Sequence, residues 1–174
     1  MAGRLAHDRG FPFRSFTVNV NARQFRWLMN VYPPYLFTGI RVDRVSADFA
    51  EVDVSMPLRW YNKNAVGTQF GGSLYAMADP FLMLMTLRLM GEDHVVWDQS
   101  AQIDFVSPGR GTVYAKFRMP PAEIERLRRE AAGGHAVRPQ YRVDLTDNDG
   151  KIVAAVKKTL YVRRKKDRPA RAGA

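Results

Sequence analysis

The sequence predicts an α+β domain in which an antiparallel sheet wraps around one long central helix, and three observations carry that expectation. Leu74 to Met90 is an almost wholly apolar stretch, long enough for about four to five helical turns. On both sides of it lie segments in which apolar and polar residues alternate with the period of two that marks half-buried strands. Five or six such strands are visible, with the helix inserted after the first pair, and turn signatures separate them.

The chain opens with a basic lead carrying Phe11, Phe13 and Phe16. Asn21 is placed to cap a helix over about 22–31, in which Phe25, Leu28 and Met29 fall at helical spacing and Pro33-Pro34 bring it to an end. This helix is expected to pack on the sheet or to line an apolar pocket. Gly39 then releases an extended segment in which Ile40 and Val42 alternate with Arg41 and Asp43. After a turn near Ser46-Ala47-Asp48, Val52, Val54 and Met56 alternate with Glu51, Asp53 and Ser55, completing a half-buried hairpin. The segment 59–69, with Trp60, Tyr61, Asn62 and Asn64, mixes polar and aromatic residues and suits either the lining of a site or a plain connection.

The central stretch opens on Gly71-Gly72 and is interrupted by one acid, Asp79, followed at once by Pro80. Leu74, Met77, Phe81, Leu82, Met83, Leu84 and Met85 surround Asp79, so the helix is expected to be buried on most sides. An acid there is costly and wants a reason. It has either a chemical task or a structural one beside the kink that Pro80 introduces. A membrane span is not expected, because Asp79, Pro80 and Arg88 interrupt a stretch that falls short of the roughly twenty apolar residues a span requires.

After Gly91 a strand over about 94–106 sets Trp97, Gln99, Ala101, Ile103 and Phe105 against Asp98, Ser100, Gln102 and Asp104, with Gln102 and Asp104 read as facing solvent. Gly109 and Gly111 turn the chain into a further strand over 112–119. Pro120-Pro121 open a helix over about 122–132, whose early Glu123 and Glu125 and later Arg126, Arg128 and Arg129 agree with its dipole. Ile124, Leu127 and Ala131 give it a thin apolar stripe, so it is expected to be a surface insertion with arginines free to meet phosphate. Two long strands, over 140–146 and 151–164, close the chain around the turn Asp147-Asn148-Asp149-Gly150.

At 174 residues, with 46% hydrophobic and 25% charged residues, the chain fits a single domain with a substantial core. Residues 1–38 are read as an N-terminal extension with a short helix, and 164–174 as a flexible basic tail. There are no cysteines, and His7, His94 and His135 do not fall at ligand spacing, so neither a metal nor a cofactor is expected. The net charge of +10 suits an anionic partner, and part of it sits locally in Arg163, Arg164, Lys165, Lys166, Arg168 and Arg171. No helix-turn-helix, zinc-finger or stacking-aromatic signature accompanies it, so nucleic acid is not the expected partner. Arg4, His7, Asp8 and Arg9 break any apolar leader after Met1, and a cytoplasmic location is expected.

The pattern Asn64-x-x-Gly67-x-x-Phe70-Gly71-Gly72, with Asp79 eight residues after the first glycine of the pair, resembles the hotdog-fold acyl-CoA thioesterases of the phenylacetate-pathway type. Their motif reads Asn, then His-Gly-Gly, then an acid on the central helix. Ile103-Asp104-Phe105-Val106-Ser107-Pro108 is similar to the strand and Ser-Pro turn that follow that helix, and the resemblance covers about 39–119 and 140–163. The chain also resembles a subgroup of hotdog proteins of unassigned function with Asp-Pro in the helix and Trp-Asp on the next strand, here Trp97-Asp98. Two departures stand out. Phe70 replaces the motif histidine, and Asp98 aligns where better-known relatives carry Ser or Thr.

The resemblance implies a hotdog fold, a homodimer or dimer of dimers joined edge to edge with sites between subunits, and an acyl-CoA or acyl-carrier-protein thioester as substrate. The Gly71 N–H would then bind the thioester oxygen, Asp79 would act as general base or nucleophile, and Asn64 would orient water or carbonyl. Asp98 would hold the water and could share a proton with Asp79 across the interface. Phe70, Gly72, Thr68, Gln69 and Ser100 are the expected substrate contacts. Apolar surroundings should raise the Asp79 pKa by desolvation, as suits a base. Other readings stay open: a non-catalytic acyl-CoA- or lipid-binding hotdog protein, motivated by Phe70 and Pro80, a dehydratase, against which the missing histidine stands, or a nucleic-acid-associated regulator. The many methionines fit an adaptable acyl pocket and a plain core equally well.

Overall fold

The computed structural model describes residues 20–165, so the Phe11, Phe13 and Phe16 lead and the tail from Lys166 onward lie outside the described residues. Helix α1 (Ala22–Val31) begins where Asn21 places it. The Asn21 side chain accepts from the Gln24 N–H at 2.9 Å while the Gln24 side chain accepts from the Asn21 N–H at 3.0 Å, closing a reciprocal cap. Pro33-Pro34 end α1 as expected but also start a single further turn, α2 (Pro33–Leu36), because proline suits the first positions of a helix. Strands β1 (Arg41–Val45) and β2 (Glu51–Met56) form the first hairpin.

The sheet continues through β3 (His94–Phe105), β4 (Val113–Arg118), β5 (Gln140–Thr146) and β6 (Ile152–Arg164). Its six strands run antiparallel in the spatial order β1-β2-β4-β5-β6-β3, which leaves β1 and β3 as the two edges. These edges differ. Along β1 the side chain of Asn30 bonds both backbone groups of Val42, at 2.8 and 3.1 Å, and Arg26 donates to the Asp43 carbonyl at 3.1 Å. Helix α1 therefore occupies bonding groups that a further strand would use.

The central helix is two helices, α3 (Gly71–Ala78) and α4 (Phe81–Met90), with Asp79 and Pro80 between them. Pro80 has no N–H to give the Ala76 carbonyl one turn earlier. The buried Tyr35 replaces it, its hydroxyl donating to Ala76 O at 3.2 Å. Lys158, from β6, donates to the next exposed acceptor of the break, the Asp79 carbonyl. Met77, Ala78, Phe81 and Met85 then press into the inner face of the sheet against Phe117, Leu145, Leu160 and Val162, forming the core.

Two expectations change. The helix α5 (Pro121–Ala131) is not a loose surface insertion, because Leu127 and Ala131 are fully buried and Ile124 nearly so, and the helix packs on α4 and β6. Two of its three arginines are already engaged: Arg126 with Glu123 and Glu130 at 2.7 and 2.8 Å, and Arg128 with the Leu89 carbonyl at 2.6 Å. In β3 the alternation is broken by a bulge between Asp98 and Ser100. Asp98 pairs with the buried Leu160 and Ala101 with the buried Lys158, so the inner face reads His94, Val96, Asp98, then Ala101, Ile103, Phe105. Trp97 falls on the outer face instead, stacked at 4.0 Å on Tyr161.

The account of the helix break is testable by a double-mutant cycle in urea unfolding. Tyr35→Phe strands the Ala76 carbonyl and should cost about 1–2 kcal/mol. In a Pro80→Ala background the new N–H can serve that carbonyl, so the same substitution should cost well under about 1 kcal/mol.

Candidate active site

The start of α3 is built around close approach. A Cβ on Gly71 would lie 2.8 Å from the Phe105 ring, and one on Gly72 would lie 2.5 Å from the Phe70 ring, so the two glycines let these exposed rings lie against the start of the helix. Phe70 occupies the cap position with no side-chain acceptor, and its carbonyl takes the Ser73 and Leu74 N–H groups. Among the described residues no acceptor meets the N–H groups of Gly71 and Gly72. Such orphan donors carry the positive end of the helix dipole. Beside them opens a cleft of about 450 Å³, whose walls include Asn64, Val66, Gly71, Leu74, Phe105 and Arg110.

The loop before α3 is shaped by its own amides. Asn64 Oδ1 accepts from the Val66 and Thr68 N–H groups at 3.1 and 3.0 Å, and its Nδ2 donates to Thr68 Oγ1 at 2.9 Å. The buried Gln69 donates to the Met56 and Gly111 carbonyls at 2.9 and 3.0 Å. Asn64 and Thr68 thus hold the loop that presents Gly71 from within, and Gln69 ties it to Met56 and Gly111.

Asp79 lies elsewhere on the helix, and not in the surroundings expected for it. Its side chain is 46% exposed, because the break at Pro80 turns it away from the packed face, so it is half-buried rather than enclosed by its apolar neighbours. Its Oδ1 instead accepts from Lys158 Nζ at 3.0 Å and from the Tyr75 hydroxyl at 2.8 Å. No described residue bonds its Oδ2. Lys158, with a side chain 0% exposed, also lies 2.8 Å from Asp98 Oδ1, and the geometry is that of an ion pair rather than an aligned hydrogen bond. Asp79 and Asp98 therefore meet within one chain around a shared ammonium, where the sequence suggested a proton shared between subunits.

Lys158 was missed in reading the sequence, although its signal is present: it is the one cation on the inward positions Ala154, Val156, Lys158, Leu160 and Val162. The bulge in β3 brings Asp98 to the same face and sends Ser100, opposite Thr159, to the outer side, away from Lys158. Burial pushes the Asp98 carboxyl above its ordinary value; Lys158 pulls it down without prevailing, and Asp79 adds to the upward push. Burial, with the hydrogen bond to Asp79, raises the Tyr75 phenol to about 12, so it remains a donor. Among the described residues no group of side chains is arranged to hold a metal ion. No helix there is long and apolar enough to cross a membrane.

A six-stranded antiparallel sheet around a helix that opens on paired glycines and carries an acid two turns later defines a hotdog-fold protein, of the kind found among thioesterases. Within that class the chain belongs to the family described as Domain of unknown function (DUF4442), which matches residues 21–162. Its structure is similar to PA5026 of Pseudomonas aeruginosa, a protein of unknown function named a probable thioesterase, with a TM-score of 0.73 and 20% identity over 82% of this chain and 95% of that one. It is also similar to the thioesterase HI1161 of Haemophilus influenzae, with a TM-score of 0.59 and 15% identity over 84% and 92%. A mutant of the thioesterase PA1618 of Pseudomonas aeruginosa gives a TM-score of 0.60 and 15% identity over 84% and 96%. No curated protein matches the sequence.

Removing the shared ammonium should be costly. Lys158→Met leaves two facing carboxylates and should destabilise the protein by about 2–3 kcal/mol, below the usual figure for a fully buried pair because Asp79 keeps access to water. Asp98 holds its proton more tightly folded than unfolded, so it favours folding below its ordinary pKa of 3.8, and that contribution is lost as pH rises through the raised folded value. Asp98→Asn should flatten this decline when stability is measured by urea unfolding against pH.

Proposed function

We propose that the protein is a thioesterase that hydrolyses an acyl-CoA or acyl-carrier-protein thioester, with Asp79 as general base or nucleophile and the start of α3 as the oxyanion site. The observation that carries this reading is the fixing of one Asp79 oxygen by Lys158 and Tyr75, while the other has no bond to a described residue. A carboxylate held in this way presents a single defined oxygen to water or to a carbonyl carbon. As water attacks, Oδ2 takes its proton, the carbonyl oxygen gains charge against the Gly71 and Gly72 N–H groups, and the C–S bond then breaks to release thiol and acid.

These two groups cannot serve one thioester within a single chain. Eight residues of helix separate Gly71 from Asp79, about 12 Å at 1.5 Å per residue. The reading therefore places each site between two subunits, with Gly71 from one and Asp79 from the other. The edge of β3 suits that association, since β1 is occupied by Asn30 and Arg26 while Phe105 and Val106 at the end of β3 are well exposed. Asp98 and Lys158 position Asp79 in this scheme, Asn64 shapes the loop, and Phe70 and Gly72 border the site.

One observation favours the second reading, a hotdog protein that binds acyl-CoA without turning it over: the Phe70 ring covers Gly72 where relatives carry a polar histidine. Thiol release from short, medium, long and aromatic acyl-CoAs separates the two. Multiple turnovers that fall about 10²–10⁴-fold in Asp79→Asn, with the fold intact by circular dichroism, are the expected result. Thermal stabilisation by acyl-CoA with no turnover would favour binding alone. A shared site also predicts that sedimentation gives twice the 19.8 kDa chain mass or a multiple of it, and that specific activity declines as dilution separates subunits.

A further inference from the structure

Several exposed apolar side chains fall into two groups, and the proposed dimer accounts for only one of them. Phe70, Phe105 and Val106 border the cleft and the β3 edge. Beside β1, Trp27, Leu36, Phe37, Trp60 and Tyr61 are also exposed, with Phe37 at 76% and Trp60 at 83%. A groove of about 810 Å³ is lined by Trp27, Leu36 and Tyr61 together with Arg23, Arg26 and Arg41, and Trp60 packs edge-on against Tyr61 at 5.5 Å.

We infer that this face, built from α1, α2 and the loop around Trp60, docks on the surface of an anionic lipid bilayer. On α1, Arg23, Arg26, Trp27 and Val31 fall at helical spacing on the side away from the buried Phe25 and Met29. The helix thus has a second, outward stripe that mixes cations with large apolar groups. Trp and Tyr settle at the headgroup level of a bilayer because each joins an apolar ring to one polar atom, and arginine beside them meets lipid phosphate. The groove presents three arginines against one acid, Asp43, whose carboxylate already accepts from Ser55 Oγ at 3.1 Å.

The backbone argues against two other occupants. A protein segment or a second copy joining by strand addition needs the free N–H and C=O groups of β1, and Asn30 and Arg26 already take those of Val42 and Asp43. A bilayer needs none of them. The net charge of +10 points the same way, and the inference stands independently of the thioesterase reading.

The test is flotation of the full chain with vesicles of phosphatidylcholine alone and of phosphatidylcholine mixed with phosphatidylglycerol. Trp97→Phe is used as background so that only Trp27 and Trp60 report by fluorescence. The expected result is binding to the mixed vesicles only, with a blue shift of emission and quenching by brominated lipid. Trp27→Ala with Trp60→Ala should weaken binding about tenfold or more at unchanged net charge. Arg23→Gln with Arg41→Gln should weaken it about tenfold through lost attraction to anionic lipid. Circular dichroism checks that each variant is folded, and the arginine pair carries the test if the tryptophan pair is not.

Failure to float, or emission unchanged on binding, overturns the inference. So does undiminished binding by both variants, which would assign the attraction to charge elsewhere on the chain. A smaller assembly for the tryptophan variant in gel filtration would overturn it in favour of a second copy on this face, and binding only to a protein partner would do the same.

Discussion

A fully buried ammonium organises the centre of this protein. Lys158 leaves β6 between inward positions that are apolar on either side, Val156 and Leu160, and an unpaired charge there would not be tolerated. Asp98, Asp79 and the Asp79 carbonyl all turn toward it. Each partner has been brought by a departure from regular structure. A bulge in β3 reverses the facing of Asp98, and the break at Pro80 frees the carbonyl and swings the Asp79 side chain out of the helix packing. The irregularities and the charge explain one another, and each would be unfavourable without the other.

The helix break shows how distant parts of the chain share one task. Pro80 leaves the Ala76 carbonyl without its usual donor, and Tyr35, from a segment forty residues earlier, supplies one. The N-terminal helices are therefore part of the machinery that fixes Asp79. Tyr35 comes from α2, and the preceding helix α1 closes the β1 edge through Asn30 and Arg26. Packing, capping and site geometry come from one set of contacts.

Regular patterns were legible in the sequence. The cap at Asn21, the alternation of Val52, Val54 and Met56, the turn at 147–150 and the apolar run after Gly72 gave the sheet, its hairpins and its central helix close to their observed bounds. The paired glycines and Asp79 were legible as a pattern, and the structure shows the Phe70 and Phe105 rings lying where the glycines' missing side chains would be. What was not legible depended on long-range pairing. One extra residue in β3 leaves no mark on composition but exchanges the faces of Trp97 and Asp98. The partner of Asp79 lies seventy-nine residues away, so its exposure and its lysine follow from tertiary contact and not from its apolar neighbours in sequence. The stripe of α5 looked thin because Arg126 and Arg128, which flank it, are committed to partners within the fold.

The clasp of Asn30 on Val42 also fixes how far the sheet can grow. A strand edge that bonds a neighbour at both ends of a molecule propagates without limit, as in fibrils. Here one end is terminated within the chain itself by an asparagine that imitates a peptide group, donor to acceptor and acceptor to donor. A sheet with a single open margin can be extended once and then has no margin left. The asparagine thus acts as a stop: two hydrogen bonds from a helix close this margin to any further strand.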